Sequence, residues 1–170
     1  DERGEPLAMA QLWMDRRANA ECAWIAETIG DEVIASINGG RIDPYYFAPK
    51  LGVLLQENPA WREKLVQGEW LAGTLDTFLI WRWTQGRHFV TDASMAARTL
   101  LMDIHRQQWS DTLCHLFDIP RSILPHLKPS TGLNLSLDIG LTLQTSVGDQ
   151  SAALIASLTD RSSEALVNLG

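Results

Sequence analysis

Cysteine is scarce in this chain: Cys22 and Cys114 are the only two in 170 residues, they lie far apart, and neither sits in a Cys-x-x-Cys pair. Such lone cysteines read as buried thiols of a reduced compartment, with a disulfide disfavoured. Long apolar runs are missing too. None approaches the roughly 18 uncharged residues that a membrane helix needs. The net charge is −7 and no Lys/Arg cluster stands out, so the basic stripe that offsets phosphate charge is lacking and nucleic acid is a poor partner. His88, His105, His115 and His126 have no metal-ligand spacing. Neither a Gly-x-x-x-x-Gly-Lys-Ser/Thr loop nor a Gly-x-Gly-x-x-Gly turn occurs, so no familiar phosphate cradle is present. A Gly-x-Ser-x-Gly elbow is absent as well. Asn134-Leu135-Ser136 matches a glycosylation acceptor by letter alone, and nothing else suggests secretion.

What is present is ordinary globular composition, 45% hydrophobic and 21% charged, enough for one domain or most of one. The pattern predicts alternating strands and helices. Leu7 to Trp13 suits a short buried strand. Cys22, Ile25, Ala26 and Ile29 share one helical face that Gly30 ends. Asn38-Gly39-Gly40 is a turn, and Lys50 to Gln56 looks helical. Asn58-Pro59 starts a helix that closes near Gly68. After Gly73-Thr74 comes a helix with Leu75, Phe78 and Leu79 on one face, terminated at Gln85-Gly86. Thr91 to Thr99, rich in small polar residues, suggests irregular but buried chain. Ser110 can cap a helix whose apolar side is Trp109, Leu113, Leu116 and Phe117. Pro120, Pro125 and Pro129 mark a loop-rich connector. Thr142 to Val147 reads as a strand, Gly148 as a turn, Gln150 to Leu158 as a helix, and Ala165 to Gly170 as a last strand running into a glycine turn. Interleaved elements of this kind imply an α/β class. The chain has no initiator Met and ends in that strand-like run, and both ends suggest a fragment.

The segment with the most chemistry is Gly148-Asp149-Gln150-Ser151-Ala152-Ala153-Leu154. An Asp between a strand end and a helix start meets the positive end of the helix dipole, where negative charge is favoured. It can accept a proton from a hydroxyl, or it can simply be the helix N-cap. Both roles fit if one oxygen caps and the other faces a ligand.

That segment resembles the stretch of the FGGY family of carbohydrate kinases that carries their general base. Further blocks resemble the family in the same order: Leu12-Trp13-Met14-Asp15-Arg16-Arg17, Asp43-Pro44-Tyr45 with Lys50, and Gly73-Thr74-Leu75-Asp76-Thr77 through Thr84-Gln85-Gly86. Thr91-Asp92-Ala93-Ser94, Arg98-Thr99-Leu100, Trp109-Ser110-Asp111, Phe117-Asp118-Ile119-Pro120 and Leu124-Pro125 continue the series. Any one block is weak, whereas all of them in order are specific.

The resemblance implies an actin-like ATPase, ribonuclease-H-like fold whose two similar domains close on a cleft. This chain then corresponds to the N-terminal, acceptor-binding domain truncated at both ends, without the ATP-binding domain. Gly170 falls where the second domain's Gly-Thr-Gly turn begins. The same resemblance implies ATP and Mg2+ as cofactors and a sugar or polyol as small-molecule partner. It also implies a cytoplasmic location, leaves a homo-oligomer open, and makes the isolated fragment inactive. Asp149 matches the general base, Gln150 a residue that helps hold the acceptor, Trp13 the aromatic against the acceptor's carbon face, and Tyr45 a hydroxyl donor in the pocket. Asp15, Arg17, Lys50, Asp92 and Arg98 match as ion-pairing or hydrogen-bonding scaffold.

The sequence departs from the family around Lys50, where Phe47 and Val53 replace a small residue and a Trp. The acceptor-binding Arg-Glu pair of the glycerol-accepting members falls upstream of Asp1. Glycerol, a pentulose or another polyol all remain compatible, and the competing reading is a catalytically inactive sugar-binding or interaction module.

Overall fold

The computed structural model describes residues 1, 3–160 and 162–167. Four helices come first: α1 (Asn19–Thr28), α2 (Asp31–Asn38), α3 (Phe47–Glu57) and α4 (Pro59–Val66). Local chemistry sets their ends. Gly30, at φ +89°, separates α1 from α2, and Gly39 closes α2 in the left-handed conformation that glycine adopts without steric cost. Pro59 opens α4 in its first turn, where a missing N–H removes no helical bond.

Helix α5 (Leu75–Trp83) leads into β1 (Val90–Asp92), α6 (Ala93–Ala97) and a small hairpin of β2 (Met102–Asp103) and β3 (Gln108–Trp109). Helix α7 (Asp111–Leu116) follows, capped as expected by Ser110, whose Oγ accepts the Leu113 N–H at 3.3 Å. A 3-10 turn at Arg121–Ile123 precedes β4 (His126–Lys128), β5 (Thr131–Ser136), β6 (Thr142–Thr145) and α8 (Asp149–Ser157). Strands β1 and β4 pair in parallel, with Val90 opposite His126 and Asp92 opposite Lys128, so everything between them is one long crossover. β5 and β6 pair antiparallel.

The main core gathers Ile25, Ile34, Leu100, Leu101, Leu113 and Phe117 with Trp109, whose indole N–H reaches the Pro125 carbonyl at 2.8 Å. Leu100 sits there at φ +62°. That is a strained setting for a branched side chain, and full burial offsets it. Cys22 and Cys114 are free and buried. Among the described residues no helix is long and apolar enough to cross a membrane.

Four expectations need correction. Residues 7–13 form no strand: Met9 is 90% exposed and Leu12 57%. A strand needs a ladder partner, and no described strand pairs with this segment. Most of Thr91 to Thr99 is regular, strand to Asp92 and helix to Ala97, because Asp92 caps α6 by accepting the Met95 N–H at 3.0 Å and alanine sustains the turn behind it. On α5 the buried positions are Thr77 and Ile80, while Leu75 is exposed. The proline-marked connector holds β4 between Pro125 and Pro129, since prolines at strand ends remove no ladder bond. Helix α2 was not anticipated beyond its closing turn. Residues 165–167 are outside any strand, and the rest of the expected last strand, with Gly170, lies outside the described residues.

Two outcomes follow from this core. Leu113→Ala deletes a fully buried side chain and should cost about 3 kcal/mol in urea unfolding. Burial pushes the Cys22 thiol up to about 12 and the Cys114 thiol up to about 11. The folded state therefore holds protons that the unfolded state releases above about pH 8.5, so stability falls as pH rises from there. The urea midpoint should drop between about pH 8.5 and about pH 10.5, and drop less in a Cys22→Ala/Cys114→Ala variant.

Candidate active site

The site is organised around α6. Its N-terminal end is tied to a buried carboxylate: Asp92 is 1% exposed. The Ser94 hydroxyl donates to both Asp92 oxygens at 2.8 Å, Ser130 Oγ donates to Oδ2 at 2.6 Å, and the Met95 N–H to Oδ1. With its one proton committed to Asp92, Ser94 Oγ offers lone pairs, and it accepts the Gly148 N–H at 2.7 Å. Gly148 is the N-cap residue of α8, so this bond fixes where α8 begins. Asp149 is the first residue of α8, not its cap, and is exposed. Its Oδ1 accepts the Gln150 N–H at 2.7 Å, and Oδ2 makes no hydrogen bond among the described residues. Gln150 is exposed beside it.

The C-terminal end of α6 is Arg98, whose Nη2 donates to Tyr45 Oη at 2.8 Å. A guanidinium can only donate, so the phenol oxygen accepts and its own proton is free for another partner. Arg98 also lies over the rings of Tyr45 (4.9 Å) and Tyr46 (5.4 Å). Lys50, which is buried, donates from Nζ to the Tyr45 carbonyl at 2.7 Å. Burial lowers the basicity of that ammonium, and the Asp15 and Asp43 charges partly restore it.

Trp13 reaches the same region from the exposed N-terminal segment. Asp15 receives the Arg17 side chain at 2.7 Å and the Arg17 backbone N–H at 3.0 Å, which pulls its carboxyl down to about 2. Arg16 pairs with Asp43 at 3.0 Å, and the same Asp43 oxygen accepts the Tyr45 N–H at 2.7 Å. That pair joins the Trp13 turn to the Tyr45 turn. Trp13, Met14, Arg16, Asp43, Tyr45 and Arg98 line a concavity of about 660 Å³.

Of the four residues singled out in the sequence, Trp13 and Tyr45 thus share one wall. Asp149 and Gln150 are not among its lining residues. They stand at the opposite end of α6, and four residues of helix from Ser94 to Arg98 span about 6 Å. Arg98 and Ser94 carry the connection. Their signal was present in the Asp92-Ala93-Ser94 and Arg98-Thr99 blocks, although chain order alone did not say what they touch. Among the described residues no group of three or more His, Cys, Asp or Glu converges as a metal site.

The comparisons with known proteins define the class. Residues 1–166 match the N-terminal domain of the FGGY family of carbohydrate kinases, and the chain belongs to that family. It is 41% identical to the glycerol kinase of Roseobacter denitrificans over 162 residues, covering 89% of this chain and 32% of that protein. With the glycerol kinase of Methylobacterium nodulans the identity is 40% over 162 residues, covering 89% and 31%. The structure of Plasmodium falciparum glycerol kinase with ADP superposes with a TM-score of 0.83 at 31% identity, over 89% of this chain and 31% of that one. A xylulose kinase from Rhodospirillum rubrum, 18% identical, shares the fold at a TM-score of 0.70 over 85% of this chain and 30% of that one. The expected actin-like ATPase fold class is therefore the observed one. The chain spans about a third of the length of these relatives.

The carboxylate of Asp92 allows a direct check. Asp92→Ala strands two hydroxyl donors and one backbone N–H in a buried setting and should cost about 3 kcal/mol in urea unfolding.

Proposed function

We propose that this chain is the acceptor-binding part of an ATP-dependent kinase that transfers the γ-phosphoryl group of ATP to a hydroxyl of glycerol or a related polyol in the cytoplasm. Supporting this is one geometric observation: the two ends of α6 hold the two groups of residues that this reading assigns to the acceptor and to the base. Arg98 holds Tyr45 at one end and Ser94 holds the Gly148-Asp149 turn at the other. The similarity to known glycerol kinases points the same way.

A polyol offers a row of hydroxyls and a thin C–H face. The exposed Trp13 indole suits the C–H face. The Tyr45 phenol, its oxygen already accepting from Arg98, is set to donate to a substrate hydroxyl. Gln150, beside Asp149, can both donate and accept. In this reading Asp149 is the general base. Oδ1 is held by the Gln150 N–H, while Oδ2 takes the proton of the attacking hydroxyl as its bond to phosphorus forms. Mg2+, carried on the nucleotide, would neutralise phosphate charge when bound.

The reading is tested in the full-length protein by acceptor-dependent ADP release. Asp149→Asn keeps the shape and removes the base. It should lower kcat by roughly 10²–10⁴-fold with the acceptor KM little changed. Near-normal turnover would remove Asp149 from the mechanism.

A further inference from the structure

Ser94 and Asp92 are not among the lining residues of the concavity that holds Trp13 and Tyr45, yet Ser94, held by Asp92, meets the turn that carries Asp149. We infer that Ser94, oriented by the buried Asp92 carboxylate, is a positioning residue for catalysis that sets the placement of Asp149 through the Gly148 amide. This rests on the reading of Asp149 as general base.

The chain of contacts is short and its polarity is determined. Asp92 is 1% exposed and can only accept when ionised. It takes the Ser94 proton on both oxygens at 2.8 Å and is held in turn by Ser130 Oγ at 2.6 Å and the Met95 N–H at 3.0 Å. The Ser94 hydroxyl therefore cannot rotate to donate elsewhere, and its lone pairs meet the Gly148 N–H at 2.7 Å. Such a charge-assisted pair is stronger than an ordinary hydroxyl contact. The helix it anchors has no buried side chain of its own: every residue of α8 is at least partly exposed. Among the described residues this hydrogen bond ties the first turn of α8 to α6. Gly148 packs closely as well, since a Cβ there would meet Met95 Sδ at 3.2 Å and Ser94 Oγ at 3.3 Å. A base must sit within hydrogen-bond reach of its proton, and a misplacement of about 1 Å can cost on the order of 100-fold.

Ser94→Ala in the full-length protein removes the acceptor without adding bulk. Acceptor-dependent kcat should fall about tenfold or more while the acceptor KM stays within about threefold, and Ser94→Thr, which restores a hydroxyl, should recover most of the loss. In an Asp149→Asn background Ser94→Ala should add less than about twofold, because the relay acts only through that base. If Ser94→Ala does not fold, Ser94→Cys replaces it, its thiol being a weak acceptor for the Gly148 amide, and the same loss is expected. Wild-type kcat in the folded Ser94 variant, or a loss that persists undiminished in the Asp149→Asn background, overturns the inference. A crippled Asp149→Asn beside a normal Ser94→Ala sinks the relay alone. A near-normal Asp149→Asn sinks the base assignment and the relay with it.

Discussion

The burial of one carboxylate organises this molecule. Asp92 ends β1, where its strand neighbour is Lys128 of β4, and begins α6 as the N-cap. Taking a carboxylate out of water is costly unless its lone pairs are used. Here three donors use them: Ser94, Ser130 and the Met95 backbone. Two of these donors come from the first turn of α6 and the third from the connector between β4 and β5. Satisfying one charge thus ties the parallel strand pair to the connector and, through Ser94, to the entry of α8.

Between the two halves of the proposed site lies a helix of only five residues. A helix this short has little cooperative stability of its own, so its geometry is imposed from both ends. Asp92 caps the start. Beyond the other end Thr99 folds back, its Oγ1 donating to the Ala96 carbonyl at 2.6 Å and accepting the Leu101 N–H at 3.1 Å. Leu100 and Leu101 then anchor the chain in the core. A segment fixed this way acts as a spacer: Ser94 and Arg98 project from it at a set separation, one toward the Asp149 turn and one toward Tyr45. The groups at the two ends of α6 differ in the contacts that hold them. Tyr45 is held by Arg98, Lys50 and Asp43, whereas Asp149 accepts the Gln150 N–H and the preceding Gly148 donates to Ser94.

Much of this could be read along the chain. The Ser110 cap, the Asn58-Pro59 entry to α4 and the stop at Gly68 are local signals that act through backbone groups two to four residues away. Their outcomes agree with the fold. The buried state of Cys22 and Cys114 was likewise readable, from spacing and residue type. Where reading went astray, the deciding contact was distant. Leu7 to Trp13 has strand-like composition but no described partner strand, and its apolar side chains stay exposed. The small polar run after Thr91 looked irregular because the pattern of Asp, Ser and Ala is ambiguous until Asp92 is seen to be buried and capping. Leu75 is exposed and Thr77 buried because the side of α5 that meets β1 is set by packing, not by which side chain is more apolar.

Family membership and the identities of the candidate site residues were contained in the order of short sequence blocks, since a residue's chemistry travels with its letter. The placement of those residues was not. Trp13 and Tyr45 are more than thirty positions apart, yet they line one concavity, with Arg16 paired to Asp43 across that interval. The turn that leads into Asp149 is tied to α6 by Ser94, 54 positions before Gly148. Hydrogen bonds between such distant residues exist only after the backbone has closed the intervening loops, and loop closure is a property of the whole fold, not of any window of sequence.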